Sequence, residues 1–167
     1  LIGFGNVAQR VAEIAKGFDM EVFVFSKSFE SRKDSFSNIK SLTLNEMLSF
    51  CDIISFHCKP PKDGNPIISL SELKKMKKNS VIINTARGNL VNEVDLKTAL
   101  KESIIKGAAL DVYSVEPAEN NVLFGVKNLI LTPHIAAATE EAQLIVAKQI
   151  AEQISEFFNT GKITNSV

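Results

Sequence analysis

Short apolar runs alternate along the chain with amphipathic stretches. The apolar runs predict buried strands at residues 1–2, 20–25, 40–42, 52–57, 80–84, 105–110 and 129–131. The intervening stretches predict helices over residues 7–16, 44–50, 71–78, 93–102 and 139–158, with Thr43 as the N-cap of the second helix. Strands that alternate with helices are typical of a parallel sheet covered on both faces. We therefore predict an α/β fold with a doubly wound, Rossmann-type parallel sheet.

The first eight residues, LIGFGNVA, fit the pattern G-x-G-x-x-G/A at a junction between a strand and a helix. Gly3 would permit the tight turn, Gly5 would let the backbone approach a pyrophosphate, and Ala8 would let the helix pack closely on the sheet. The N–H groups that begin this helix would face the phosphates. The pattern also occurs without a ligand, so by itself it is weak evidence. Its candidate dinucleotide-binding residues are Gly3, Phe4, Gly5, Asn6 and Val7.

Two residues precede Gly3, whereas a strand usually has about five. We therefore expect a truncated first strand, and a dinucleotide-binding domain over residues 1–135 that is incomplete at its N-terminus.

The composition is ordinary for a globular protein, with 45% hydrophobic and 23% charged residues. Nineteen basic residues balance nineteen acidic ones, so we expect neither a nucleic-acid surface nor a membrane surface. No apolar run is long enough to span a bilayer, and no signal peptide is visible. Cys51 and Cys58 are too few and too far apart for a disulfide framework or a zinc site, and they suit the reducing cytoplasm.

Three residues with chemistry-bearing side chains fall at or just beyond the ends of predicted strands, namely Arg87, Glu116 and His134. Each alone would be an ordinary surface residue. Open α/β sheets bind ligands at the carboxyl edge of their strands, so together these residues predict a site at that edge. His57 also ends a predicted strand there, and a structural role is equally open for it.

The chain resembles the D-isomer-specific 2-hydroxyacid dehydrogenases, the family that includes D-3-phosphoglycerate dehydrogenase. The resemblance rests on motifs whose order and spacing span nearly the whole chain: GFGNVA at 3–8, INTARG at 83–88, AALDV at 108–112, EP at 116–117 and TPHIA at 132–136. The set is much more specific than any one of its members.

The resemblance implies a role for each of the three side chains. His134 resembles the general acid/base that exchanges a proton with the substrate oxygen, and Glu116 resembles the partner that orients the imidazole and favours its protonated form. Arg87 resembles the residue that binds the substrate carboxylate and polarises the keto oxygen, a task that suits the planar guanidinium.

The resemblance also implies cofactor contacts for Arg87 and His134, and for the small or polar residues Thr85, Ala86, Asp111 and Ala136, with Asp111 near the nicotinamide carboxamide. Where the family usually has an acidic residue for the adenosine ribose, this chain has Ser26, followed by Lys27, Arg32 and Lys33. An uncharged residue beside cations would suit a 2′-phosphate, so of the two cofactors, NAD or NADP, we hypothesise that the intact protein prefers NADP(H) or at least does not reject it. The alternative is a solvated basic loop with NAD as the cofactor.

The family resemblance further implies an N-terminal substrate domain, which we expect to be absent, and a C-terminal helix over residues 136–167 that returns toward it with a partly uncovered apolar stripe. The expected activity is hydride transfer between NAD(P) and C2 of a small D-2-hydroxy or 2-keto acid, in a homodimer. We expect no measurable turnover from these 167 residues alone. One alternative is a dinucleotide-sensing interaction module, like the C-terminal-binding-protein corepressors; another is an inactive remnant that merely folds.

Overall fold

The structure is a computed structural model that describes residues 1–29, 36 and 39–165. The chain divides into two compact units, Leu1–Pro133 and His134–Val167. The first unit contains all the strands and four α-helices of the described chain. Its elements in order are α1 (Asn6–Lys16), β1 (Phe23–Val24), β2 (Lys40–Ser41), α2 (Leu44–Phe50), β3 (Ile53–Phe56), α3 (Leu70–Leu73), β4 (Val81–Asn84), a 3-10 turn (Gly88–Leu90), α4 (Glu93–Lys101), β5 (Gly107–Leu110) and β6 (Leu129–Leu131).

Every strand pair in the described part of the chain is parallel. Four strands follow the order β3-β4-β5-β6, and β1 pairs with β2. Ile2 joins the two groups, because it forms a parallel bridge to Phe25 on one side and to Phe56 on the other. The resulting order is β2-β1-Ile2-β3-β4-β5-β6, with the first residues of the chain in the middle. The predicted α/β parallel architecture is confirmed.

Side-chain caps set the starts of several helices. Thr43 and Glu46 form a reciprocal capping box, so α2 spans the predicted residues 44–50. Asn92 accepts a hydrogen bond from the backbone of Asp95 at the start of α4. These caps satisfy N–H groups that have no partner within the helix.

Two elements are much shorter than their sequence patterns predict. β1 comprises Phe23–Val24 rather than residues 20–25, because the N–H of Met20 bonds back to Ala15 and closes the turn after α1. α3 spans Leu70–Leu73 rather than residues 71–78. Its capping box starts the helix one residue earlier, and the chain then leaves the helix at Lys74. The loop predicted over residues 26–38 lies mostly outside the described residues.

The core holds the glycine turn in place through its aromatic neighbour. Phe4 is 1% exposed and makes edge-to-face contacts with Phe29 and Phe36, whose ring centroids each lie 4.9 Å away. Ala8 and Ala12 of α1 are buried in the same cluster. Ala8 therefore has the small, closely packed position that the sequence motif predicts.

The second unit consists mainly of α5 (Glu140–Thr160). Thr139 caps the helix by accepting from the N–H of Ala142, and Gly161 ends it in the left-handed conformation with φ 71°. No residue of α5 is buried. Its exposed apolar side chains include Leu144, Ile145, Val146, Ile150, Ile154, Phe157 and Phe158.

Candidate active site

The two glycines of the opening turn differ in how much space surrounds them. Gly3 has φ +91°, and a Cβ atom there would lie 2.4 Å from the carbonyl oxygen of His57. Only glycine fits this position, for both backbone and steric reasons. Gly5 has nothing within 4 Å of a Cβ position, so the backbone there borders open space.

The N-terminus of α1 can accept an anion. Gly5 is its N-cap, no side chain caps it, and its first turn contains no acidic residue. The N–H groups of the first turn therefore combine with the positive end of the helix dipole. Asn6 and Val7 of this turn are exposed, and Phe4 anchors the turn from inside. These features fit the pyrophosphate of a dinucleotide.

Ser26 is the second residue after β1, at the position that the family resemblance assigns to recognition of the adenosine ribose. It is partly buried, and its hydroxyl lies 3.1 Å from the hydroxyl of Ser28. Lys27 is exposed. Arg32 and Lys33, the other cations of the NADP hypothesis, lie outside the described residues.

His57 follows β3 and forms a wall of the glycine turn. Its N–H donates to the carbonyl of Ile2 at 2.7 Å, and its imidazole Nε2 lies 2.9 Å from the hydroxyl of Ser55. Burial, and then the positive charge of the chain's amino terminus, lowers the pKa of His57 to about 4. The imidazole is therefore neutral near pH 7. The apolar pattern predicts that His57 ends a strand, but no pattern in the sequence indicates this backbone contact with Gly3.

At the end of β4, the buried side chain of Asn84 shapes the turn that carries Arg87. Its Nδ2 donates to the carbonyl of Arg87 at 2.8 Å, and its Oδ1 accepts from the N–H of Ala86 at 3.1 Å. Arg87 and Thr85 are exposed, and Nη1 of Arg87 donates to the carbonyl of Ala86. Asn84 is not among the site residues predicted from the sequence, although a polar residue at the end of an apolar strand is a usable signal.

The backbones that carry Arg87 and Glu116 touch each other. A Cβ atom on Gly88 would lie 1.8 Å from the carbonyl carbon of Tyr113, so these two chain segments are in direct contact. The N–H of Tyr113 donates to Oε1 of Glu116 at 2.9 Å. Both candidate side chains thus belong to adjacent segments at the carboxyl edge of β4 and β5.

Asp111 directly follows β5 and is 3% exposed. The hydroxyl of Thr132 donates to its Oδ1, and the hydroxyl of Tyr113 donates to the carbonyl of Thr132 at 2.9 Å. Burial, with the carboxylates of Asp111, Glu116 and Glu93, raises the pKa of Tyr113, so its hydroxyl keeps its proton. This network ties the end of β6 to the segment that contains Glu116.

His134 is the first residue of the second unit and has φ 54°, an uncommon value for a residue other than glycine. It is exposed, as is Ala136. Its convergence with Arg87 and Glu116 stays a prediction from the sequence.

No group of three or more His, Cys, Asp or Glu side chains in the described part of the chain could hold a metal ion. Among the same residues, no helix is long and apolar enough to cross a membrane.

Residues 1–136 match the NAD-binding domain of the D-isomer specific 2-hydroxyacid dehydrogenases. The chain belongs to this dehydrogenase family. The family resemblance inferred from the sequence motifs is therefore confirmed, and the glycine turn belongs to an NAD-binding domain.

A glyoxylate reductase and a D-3-phosphoglycerate dehydrogenase are similar to this family member. It is 38% identical over 157 residues to a glyoxylate reductase of Thermococcus litoralis, covering 94% of this chain and 47% of that protein. It is 36% identical over 157 residues to a D-3-phosphoglycerate dehydrogenase of Bacillus subtilis, covering 94% and 30%. The chain thus spans about half or less of the length of these two relatives.

A solved structure of an acyclic imino acid reductase in complex with NADPH and D-Arg superposes with a TM-score of 0.88 at 34% identity. The match covers 99% of this chain and 52% of the reductase. All three of these relatives of the dehydrogenase-family chain are oxidoreductases, which does not favour the corepressor-type alternative.

Proposed function

We propose that the protein containing this chain is an NAD(P)-dependent oxidoreductase that transfers a hydride between nicotinamide and C2 of a D-2-hydroxy or 2-keto acid. One observation carries the proposal. The open, uncapped turn at Gly3–Gly5 lies at the same sheet edge from which Arg87 and Glu116 emerge. A phosphate site and a pair of opposite charges at one edge suit a dinucleotide and an acid substrate.

The bound nicotinamide would supply the hydride chemistry. Arg87 binds the substrate carboxylate through its guanidinium and polarises the keto oxygen. His134 gives a proton to that oxygen during reduction and takes it back during oxidation, and Glu116 orients the imidazole. The hydrogen bond from Tyr113 N–H to Glu116 supports this role, because it ties the carboxylate to the end of β5.

Four further residues would contact the cofactor. Asp111, held by its hydrogen bond from Thr132, would contact the nicotinamide carboxamide. Thr85, Ala86 and Ala136 would line the cofactor with backbone and small side chains.

We propose NADP(H) as the preferred cofactor. Ser26 places no carboxylate at the end of β1, and the exposed Lys27 beside it supplies a positive charge for a 2′-phosphate. The similarity to a reductase solved with NADPH supports the same choice.

The proposal also extends to the organisation of the whole protein. Residues 1–135 form the dinucleotide-binding domain, and the helix within residues 136–167 returns toward a substrate domain. The protein is a cytoplasmic homodimer whose substrate is a small acid. The exposed apolar side chains of α5 support a further interface on this helix.

The test is an assay of the protein expressed from its complete reading frame. Glyoxylate, hydroxypyruvate and a phosphorylated three-carbon keto acid should be offered with NADPH and with NADH, while oxidation of the nicotinamide is followed. We expect turnover of at least one acid, faster with NADPH at low cofactor concentration. Absence of turnover with every acid and both cofactors, in a protein that binds NADPH, would refute the oxidoreductase proposal.

A further inference from the structure

A carboxylate outside the proposed catalytic trio gathers three hydrogen bonds. Glu93 is the first residue of α4 and is partly buried. Its Oε1 accepts from the N–H of Ser114 at 2.7 Å, and its Oε2 accepts from the hydroxyl of Ser114 at 2.9 Å and from Nδ2 of Asn121 at 2.9 Å. One side chain thus holds both ends of the segment 114–121.

The tethered segment contains Glu116. The N–H of Tyr113, immediately before the segment, donates to Glu116, and the neighbouring Ser114 N–H donates to Glu93. Two successive N–H groups therefore fix the backbone and the Glu116 carboxylate together. Glu116 itself is exposed, so packing alone does not define its position.

The helix α4, which carries Glu93, is anchored in the protein core. Leu96, Ala99 and Leu100 of α4 are buried in the main core, and the N–H of Asn92 donates to the carbonyl of Ile68 at 2.9 Å. The start of α4 follows Arg87 by way of the 3-10 turn Gly88–Leu90. Glu93 therefore connects the segment that bears Glu116 to the rigid element next to Arg87.

We propose that Glu93 is a positioning residue that holds Glu116 in register with Arg87. The inference rests on the proposed function, because it assigns Glu93 a part in the same reaction. A carboxylate suits the task, since all three groups that face it are donors and since negative charge is stabilised at a helix N-terminus. Glutamine would present N–H groups to one or two of these donors.

The test compares Glu93→Gln with the matched control Asp95→Asn in the protein expressed from its complete reading frame. Asp95 is also a carboxylate in the first turn of α4, but it accepts from the N–H of Leu70 on α3 and not from segment 114–121. Both substitutions remove one charge from the same helix end. They differ in whether the tether is broken.

We expect Glu93→Gln to speed hydrogen exchange across residues 112–121 and to lower kcat about 10- to 100-fold, since a misplacement of about 1 Å has effects of this size. The Kd for NADPH should stay within about twofold of wild type, because the glycine turn is on a different part of the sheet edge. Asp95→Asn should leave both exchange and kcat within about twofold. Asn121→Ala, which keeps the carboxylate, should reproduce part of the exchange and kcat effects even if Glu93→Gln folds poorly.

Unchanged exchange over residues 112–121 in Glu93→Gln or in Asn121→Ala would overturn the tether, whatever the enzyme does. Faster exchange with unchanged kcat would overturn the positioning role. Faster exchange in a protein that shows no turnover even as wild type would instead refute the proposed function and leave the tether supported.

Discussion

Alanine at Gly3 should lower the stability of the protein, whereas alanine at Gly5 should weaken cofactor binding, because the two glycines have different surroundings. At Gly3 the left-handed backbone penalises alanine by about 1–2 kcal/mol. The new methyl would also meet the His57 carbonyl at 2.4 Å, and overpacking of this kind destabilises by about 1–3 kcal/mol. The free energy of unfolding should therefore fall by about 2–5 kcal/mol. For a domain of this size, the Tm would fall by about 4–20 °C.

At Gly5 the backbone is extended, with φ −80°, and nothing lies within 4 Å of a Cβ position. The free energy of unfolding of Gly5→Ala should therefore stay within about 1 kcal/mol of wild type. The methyl would instead stand in the space needed by a pyrophosphate. Loss of one charge-assisted hydrogen bond, worth about 1.5–3 kcal/mol, raises the Kd for NADPH about 10- to 150-fold.

The assays are thermal unfolding by circular dichroism and NADPH titration by calorimetry, on the protein expressed from its complete reading frame. Each variant is the control for the other. A Gly5→Ala protein that binds NADPH as tightly as wild type would show that the pyrophosphate does not lie against this turn. A Gly3→Ala protein with an unchanged Tm would show that the contact with His57 is easily relieved.

Four further substitutions test the remaining assignments. Arg87→Lys keeps the charge but loses the planar fork, so kcat/KM for a keto acid should fall about 10- to 100-fold in steady-state kinetics; an unchanged value would remove Arg87 from substrate binding. Ser26→Asp should raise the Kd for NADP at least about tenfold by repelling the 2′-phosphate while barely changing that for NAD, and parallel changes in the two titrations would contradict the cofactor proposal. His134→Ala should lower kcat about 10²- to 10⁴-fold with the Kd for NADPH nearly unchanged, and a near-normal kcat would rule out His134 as the acid/base. Because folding lowers the pKa of His57 from 6.5 to about 4, the unfolded chain takes up a proton at a higher pH than the folded one, and the free energy of unfolding falls as the pH drops from 6.5 to about 4. The Tm of His57→Gln should therefore fall less than that of wild type between neutral and mildly acidic buffer. Equal falls in Tm would show that His57 does not contribute to the pH dependence of stability.

The periodic elements of this fold could be predicted because their patterns are local. The capping box of Thr43 and Glu46 lies entirely within four residues, and α2 has the predicted bounds. The run at residues 20–25 was misleading, because Met20 is used to close the turn after α1 rather than to pair with a strand. No local pattern distinguishes an apolar residue in a strand from one in such a turn.

In the candidate site, too, local patterns could be predicted from the sequence and contacts between distant residues could not. Strand-end positions pointed to Arg87 and Glu116, since parallel strands present their carboxyl ends at one edge. The hydrogen bonds of Glu93 could not be predicted from the sequence, because Glu93 lies 21 residues from Ser114 and 28 from Asn121 along the chain. Only the fold brings these partners together, and a glutamate at the start of a helix otherwise has the appearance of a favourable charge near the dipole.

The position of Ile2 has a consequence for how ligand binding and folding are linked. Backbone bonds from residues 1–3 reach Phe25 on one side and Ser55 and His57 on the other, at 2.7–2.9 Å, so these residues pair with both strand groups. A dinucleotide at the turn that begins with Gly3 would bind beside the residues that join the two strand groups. Saturating NADPH should therefore slow cleavage by a protease near residues 1–3 more than at distant loops, because the bound cofactor would stabilise the pairing of these residues with both strand groups.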